Sequence, residues 1–188
     1  MNIYLVLLRG INVGGKNKIS MADLRKYLED HGFDHVATYI ASGNVILRSS
    51  KSAQEVKSII EEILPKYFKL DDELIKVLVL TREYFQSVFD NKPEGFGEQP
   101  GKYHSDSIFL IDIDVDEAMA VFDPREGVDR IWAGNDMIYS QRLSSMRTKS
   151  RLNKIMGSGL YKSMTIRSWK TTIKIIDLMN ELEKNLKE

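Results

Sequence analysis

The stretch VATYIASGNVILRS, Val36–Ser49, decides how the first half of this 188-residue chain folds. Two runs rich in β-branched and aromatic residues flank Ser42-Gly43-Asn44, and a Gly-Asn pair between such runs signals a hairpin. Towards the N-terminus, Ile3–Leu8 is a continuous apolar run and reads as a buried strand. Ser20 and Asp23 have the spacing of a capping box, and Met21, Leu24, Tyr27 and Leu28 mark a helix face that Gly32 ends. Towards the C-terminus, Ser52 and Glu55 form a second capping box ahead of the helical stripe Val56, Ile59, Ile60, Ile63 and Leu64. LIKVLVLT, Leu74–Thr81, closes as a strand. The order βαββαβ is the split-βαβ, or ferredoxin-like, pattern.

A helix over Arg82–Phe89 leads into DNKPEGFGEQPGKYHS, Asp90–Ser105, whose glycines and prolines mark a connecting loop. The pattern then repeats: a strand over Ser107–Ile113, a short helix over Val115–Phe122, and a hairpin in VDRIWAGNDMIYS, Val128–Ser140. A helix over Ser150–Met156, a strand over Ser163–Ile166 and a final helix capped by Ser168 and running to Leu182 complete it. The two hairpins align at their turns, Gly43 over Gly134 and Asn44 over Asn135. The expected fold class is therefore α+β, two ferredoxin-like units packed together with an extra C-terminal helix. The first unit covers 1–80, the helix and connection 81–105, and the second unit with the final helix 106–188.

This topology brings distant segments together. In a split-βαβ unit the loop after the first strand and the turn after the second lie at one sheet edge. Gly10–Asn17 should therefore neighbour Ser42–Asn44, and Ala133–Asn135 should neighbour Gly157–Lys162. The first loop belongs to LLRGINVGGKNKIS, Leu7–Ser20, which holds three glycines, two asparagines, three cations and no acid. Glycines allow successive backbone N–H groups to converge on an anion. Arg9 can grip phosphate or carboxylate bidentately, and Lys16 and Lys18 add point charge. The candidate ligand-binding set is Arg9, Gly10, Asn12, Gly14, Gly15, Lys16, Asn17, Ser42, Gly43 and Asn44, for a phosphorylated small molecule or nucleotide. The plainer reading makes Gly14-Gly15 a turn and Asn12 a cap on the backbone.

LLRGINVGGKNKISMADLRKYLEDHGFDHVATYIASGNVIL closely resembles the opening signature of the bacterial family known as domain of unknown function 1697, and SRLNKIMGSGLYKSMTIRSWKTTIKI resembles that family's C-terminal block. The resemblance runs nearly end to end and is weakest over Asp90–His104. It implies a duplicated ferredoxin-like fold and no established activity. Ala41 stands where the family usually has Gln, and Ser168 where it usually has Asn.

Other signals define the alternatives. Gly10 to Lys16 fits G-x-x-x-x-G-K, but Asn17 replaces the Ser or Thr that binds magnesium, and the helix starts only at Met21. A magnesium-dependent NTPase or phosphotransferase would also need Asp106, Asp112 or Asp114 to approach Lys16. Net charge is zero, yet residues 137–176 hold nine cations and no acid: Arg142, Arg147, Lys149, Arg151, Lys154, Lys162, Arg167, Lys170 and Lys174. Such segregation suits nucleic acid or a solvated face. Trp132 and Trp169 could stack on bases, although their amphipathic settings favour the core. Tyr39 fits either role. Cysteine is absent, which excludes disulfides and thiolate chemistry. His31 and His35 are spaced i, i+4 but flank a helix end at Gly32, so they and His104 are expected to be surface residues and no metal site is expected. The N-terminus has no signal-peptide pattern and no apolar run reaches the ~20 residues of a membrane helix, so the expectation is a cytoplasmic protein without a membrane partner.

Overall fold

In a computed structural model, which describes residues 1–71 and 75–187, the chain is a mixed α+β protein with two four-stranded antiparallel sheets and a C-terminal helix. One compact unit comprises residues 1–86 and the chain from Lys174 onward; Ser87–Ile173 form the other. In the first unit, β1 (Asn2–Arg9), β2 (Asp34–Tyr39), β3 (Asn44–Ser49) and β4 (Lys76–Thr81) pair in the order β2-β3-β1-β4. Leu74, at the start of the expected fourth strand, lies outside the described residues.

The helices of this unit begin where their caps place them. At α1 (Met21–Asp30) the Ser20 hydroxyl accepts the Asp23 amide at 3.3 Å. At α2 (Ala53–Tyr67) both bonds of the box form: Glu55 N–H donates to Ser52 Oγ and Ser52 N–H to the Glu55 carboxylate. Helical spacing puts Leu24 and Leu28 of α1, and Val56, Ile60, Ile63 and Leu64 of α2, on the face that packs against the sheet. Strand alternation supplies the opposing layer: Tyr4, Val6 and Leu8 of β1, Val45 and Leu47 of β3, and Val77 of β4. Pro65 stands in the last turn of α2. A further helix, α3 (Arg82–Asp90), starts with Arg82, whose guanidinium donates to Asn180 at 2.7 Å and pairs with Glu183 at 2.8 Å.

In the second unit, β5 (Tyr103–Leu110), β6 (Asp129–Ala133), β7 (Met137–Leu143) and β8 (Met164–Ser168) pair in the order β6-β7-β5-β8. α4 (Val115–Met119) is shorter than expected, and α5 (Trp169–Asn185) begins after Ser168, whose hydroxyl accepts the Thr171 amide at 3.2 Å. Two expectations need correction. β5 starts at Tyr103 because Tyr103 and Ser105 pair with Leu143 and Gln141, so residues assigned to the connection belong to the sheet. The helix expected over Ser150–Met156 is replaced by three 3₁₀ turns, Ser144–Lys149, Leu152–Gly157 and Gly159–Ser163. Of these turns only Leu152 and Ile155 are buried, an i, i+3 pair that matches the 3₁₀ repeat, and Gly157 and Gly159 disfavour an α-helix.

Within this unit the connection before β5 is partly core. Phe96 is fully buried and meets Trp169, Tyr139 and Trp132 at ring-centroid distances of 5.0, 5.1 and 6.0 Å. The Tyr139 hydroxyl donates to the Val88 carbonyl at 2.6 Å, and burial pushes its pKa up to about 12. Trp169 is thus buried, and Trp132 is half-buried with its ring against Phe96. Among the described residues, no helix is long and apolar enough to cross a membrane.

The hairpin tips lie against the ends of the central strands, but not in the alignment of their Gly-Asn pairs. Leu8 N–H donates to the Gly43 carbonyl at 2.8 Å, whereas Leu110 N–H donates to Asp136, two residues beyond Gly134, at 3.4 Å. Correspondingly, Asn44 pairs with Leu7 and Met137 with Phe109. Gly43 has φ +81°, and a Cβ there would lie 2.8 Å from Leu8 Cβ and 2.9 Å from Leu8 O. Gly14 has φ +59° with open space around it. Gly14→Ala is thus expected to cost about 1 kcal/mol from backbone strain alone, and Gly43→Ala at least about 2 kcal/mol more, because steric overlap adds to strain. Urea unfolding of both variants tests the ranking; equal losses would contradict it.

Candidate functional site

The β1–α1 loop folds back on itself. Gly14 and Gly15 (φ +59° and +81°) form the exposed tip of a tight turn closed by Lys16 N–H donating to Val13 O at 3.0 Å. Below the tip, Asn12 N–H donates to Asn17 O at 3.1 Å. Asn12 and Asn17 both have positive φ, 54° and 45°, which asparagine tolerates better than most residues.

The candidate asparagines are occupied by the chain. Asn12 Nδ2 donates to Ile19 O at 3.0 Å and Ala41 O at 2.9 Å, while its Oδ1 accepts the Ile19 amide at 2.9 Å. Asn17 Nδ2 donates to Gly10 O at 2.9 Å. Asn44 Nδ2 donates to Tyr39 O and Ser42 Oγ, both at 3.0 Å. The Asn12–Ala41 bond joins the loop to the β2–β3 hairpin, so these segments are neighbours as the topology requires. Asn17 and Asn44 are 2% and 1% exposed, which makes their amides internal struts.

An acid also reaches the loop. The Asp71 carboxylate accepts the Asn17 amide, and Asn17 Oδ1 accepts the Asp71 amide at 2.9 Å. Gly14, Gly15, Lys16 and Lys18 are exposed, and Arg9 closes β1 opposite Lys76. Lys16 sits in the turn, ahead of the Ser20 cap, not in the first turn of α1.

The basic C-terminal third does not form one uniform face. Arg151 and Lys154 both pair with Asp123 at 3.2 Å. Arg167 is 8% exposed, donates to Thr165 Oγ1 and Ile166 O at 2.9 Å, and has its pKa lowered to about 10 by burial. Asp114 caps α4 by accepting the Glu117 amide at 2.7 Å. His31 Nδ1 lies 2.7 Å from Tyr27 O, and His35 occupies a positive-φ position. Among the described residues, no group of three or more His, Cys, Asp or Glu side chains is placed to hold a metal.

The second sheet contains a concave site that linear reading leaves dispersed. Alternation puts His104, Asp106, Ile108 and Leu110 of β5 on one face, and pairing sets Arg142 opposite His104 and Ser140 opposite Asp106. His104 Nε2 lies 3.0 Å from Asp106 Oδ1, with the Asp106 side chain 15% exposed. Burial raises the Asp106 pKa against the opposing pull of His104 and Arg142. Over this face the 3₁₀ turns leave a cavity of about 210 Å³, with Asp106, Ser140 and Arg142 at its polar side and Ile108, Ile155 and Ile166 at its apolar side. Asp129 fixes the turn above, its Oδ2 accepting the Arg125 and Arg151 amides at 3.0 and 2.8 Å. A second hollow of about 320 Å³ adjoins at Arg142, bounded also by His104, Ser144 and Arg147. The signal available in the sequence was the polar alternation His104-x-Asp106 running into Ile108; cross-strand register was needed to add Arg142.

A family model described as "Protein of unknown function (DUF1697)" matches residues 1–139. No curated protein matches the chain. Among solved structures, the conserved bacterial protein SP0830 from Streptococcus pneumoniae is similar over 94% of this chain and 97% of its own, at 28% identity and a TM-score of 0.81.

The raised Asp106 pKa has a measurable consequence. A carboxyl whose folded pKa exceeds its unfolded value favours the fold below the unfolded pKa, and that contribution is lost as pH rises through the folded value. Asp106→Asn, neutral at every pH, is expected to be more stable than the parent near neutral pH. The gain should shrink toward about pH 4, where the unfolded carboxyl also protonates. Denaturation midpoints across this range test it, and a loss at neutral pH would mean that the His104 pair outweighs desolvation.

Proposed function

The chain belongs to the DUF1697 family, and we propose that it is a duplicated ferredoxin-like protein binding a small anionic molecule at the β1–α1 loop. The shared strand order of the two sheets, β2-β3-β1-β4 and β6-β7-β5-β8, supports the duplication. The observation that carries the binding reading is the Asp71 carboxylate on the Asn17 amide. The loop backbone already donates one N–H, that of Asn17, to an anionic oxygen acceptor from within the chain. A phosphate or carboxylate meets the same chemistry beside it: the Gly14 and Gly15 amides, the Lys16 and Lys18 ammonium groups, and the Arg9 guanidinium. Phosphorylated small molecules and nucleotides are the ligand class. The asparagines act by holding the loop in shape, with Gly10, Ser42, Gly43 and Asn44 forming the floor against which it rests.

The alternatives have less support. Nucleic-acid binding by the C-terminal third would draw on Arg151 and Lys154, which share Asp123, and on Arg167, which is buried. A P-loop mechanism would need Lys16 at a helix start.

Calorimetric titration with inorganic phosphate and with a nucleoside monophosphate tests the proposal. Lys16→Ala is expected to weaken binding roughly 10- to 100-fold, the loss of a charge-assisted partner. Gly15→Val should weaken it by forcing a β-branched residue into positive φ. Asp71→Ala, which removes the internal competitor, should strengthen it. Unchanged affinity in all three variants, or no binding by the parent, would overturn the reading.

A further inference from the structure

The cavity over the second sheet is independent of the β1–α1 loop, and its lining is ordered. Along β5 and β7 the face passes from Ile108 and Ile138 to Asp106 and Ser140, and then to His104 and Arg142. An apolar recess is thus followed by the half-buried Asp106 carboxyl and then by the His104 imidazole and the Arg142 guanidinium, with Arg147 beyond them. In the first unit the corresponding connection, α2, fills this space with four buried aliphatic side chains. In the second, the 3₁₀ turns leave it open. Met156, 62% exposed, is an apolar residue standing at the cavity's edge. A concave recess with apolar walls and a few convergent polar groups is the usual form of a small-molecule site.

We propose that this cavity binds a zwitterion with an apolar side chain, of the α-amino-acid type, its ammonium at Asp106, its carboxylate at Arg142 and Arg147, and its side chain on Ile108, Ile155 and Ile166. The charge order selects this class. A plain amphipathic anion would satisfy the arginines but leave Asp106 facing a like charge, and an amine would satisfy Asp106 alone. Asp106 bonds His104 through Oδ1, so Oδ2 is the oxygen that the structure leaves for an ammonium donor. Arg142 lines both hollows and can meet a carboxylate in the outer one while the side chain occupies the inner one. The cost that burial places on the charged form of Asp106 is offset when a cation arrives, which adds to the selection.

The test is calorimetric titration of the full chain with L-phenylalanine, L-leucine, 3-phenylpropionate and phenethylamine. At least one amino acid is expected to bind saturably, and L-phenylalanine, if it is the one, more tightly than either single-charge analogue by roughly 10-fold or more. Arg142→Gln should abolish the advantage over phenethylamine, and Asp106→Asn the advantage over 3-phenylpropionate. Met156→Glu, at an exposed position that a folded chain tolerates, should weaken binding by placing a charge at the edge of the recess that takes the ligand's apolar side chain. Lys16→Ala should leave amino-acid binding unchanged, which separates this site from the loop. No saturable binding by either amino acid would overturn the proposal, as would equal affinity for phenylalanine and 3-phenylpropionate, or binding indifferent to both Arg142→Gln and Met156→Glu.

Discussion

The Leu8 amide and the Gly43 carbonyl, 2.8 Å apart, hold one end of the first sheet together. Their bond needs the hairpin tip to lie directly on the end of β1, and only a residue without Cβ fits there. Once the tip is seated, Ala41 O comes within reach of Asn12 Nδ2 and the β1–α1 loop is tied to the hairpin. Asn12 also bonds Ile19 in both directions, so the path from Gly43 to the start of α1 is a continuous chain of backbone and amide contacts. The second sheet makes the corresponding contact with Asp136, a non-glycine residue at φ +52°, and at the longer distance of 3.4 Å. The same topological requirement is thus met by steric necessity in one unit and by a polar residue that tolerates left-handed backbone in the other.

The parts legible in the sequence are those governed by local chemistry. Ser20, Ser52 and Ser168 each cap the helix that follows, because a hydroxyl three residues before an exposed amide acts through short-range geometry. The Val36–Ser49 hairpin was equally plain, since alternating β-formers and a Gly-Asn turn reinforce one another. Leu152 and Ile155 were ambiguous: an i, i+3 pair serves an α-helix and a 3₁₀ turn alike, and the outcome rests on how little else in the segment can be buried. Tyr103–Asp106 carries no apolar strand pattern, because backbone pairing to β7, not apolar side chains, holds much of it in the sheet. The asparagines show a different limit. Composition names Asn12, Asn17 and Asn44 as hydrogen-bonding groups, but the bonds of Asn12 to Ala41 and of Asn17 to Asp71 cross to other segments and emerge only when the chain folds.

The two units differ most in what covers the sheet between its third and fourth strands. In the first, α2 offers an uninterrupted aliphatic stripe, and Val56, Ile60, Ile63 and Leu64 are each no more than 1% exposed. In the second, the cover is three short turns held by particular bonds, among them the two amides on Asp129. A continuous helix excludes polar groups from the layer beneath it. Short turns allow Asp106 and Arg142 to sit next to isoleucines, at an expense in hydrophobic burial that the sheet's other face recovers through Phe96, Tyr139 and Trp169.

That recovery changes the meaning of the glycine- and proline-rich connection before β5. Phe96 is wholly buried, and a Cβ on Gly97 would fall 2.3 Å from the Trp169 ring. By composition the segment is a spacer; by packing it is a keystone whose length and phase are fixed by one aromatic side chain and one missing one. Insertions and deletions during evolution, or an engineered cut or fusion, would therefore be absorbed poorly here. They would be better tolerated at the exposed Gly14-Gly15 tip, where added atoms meet open space.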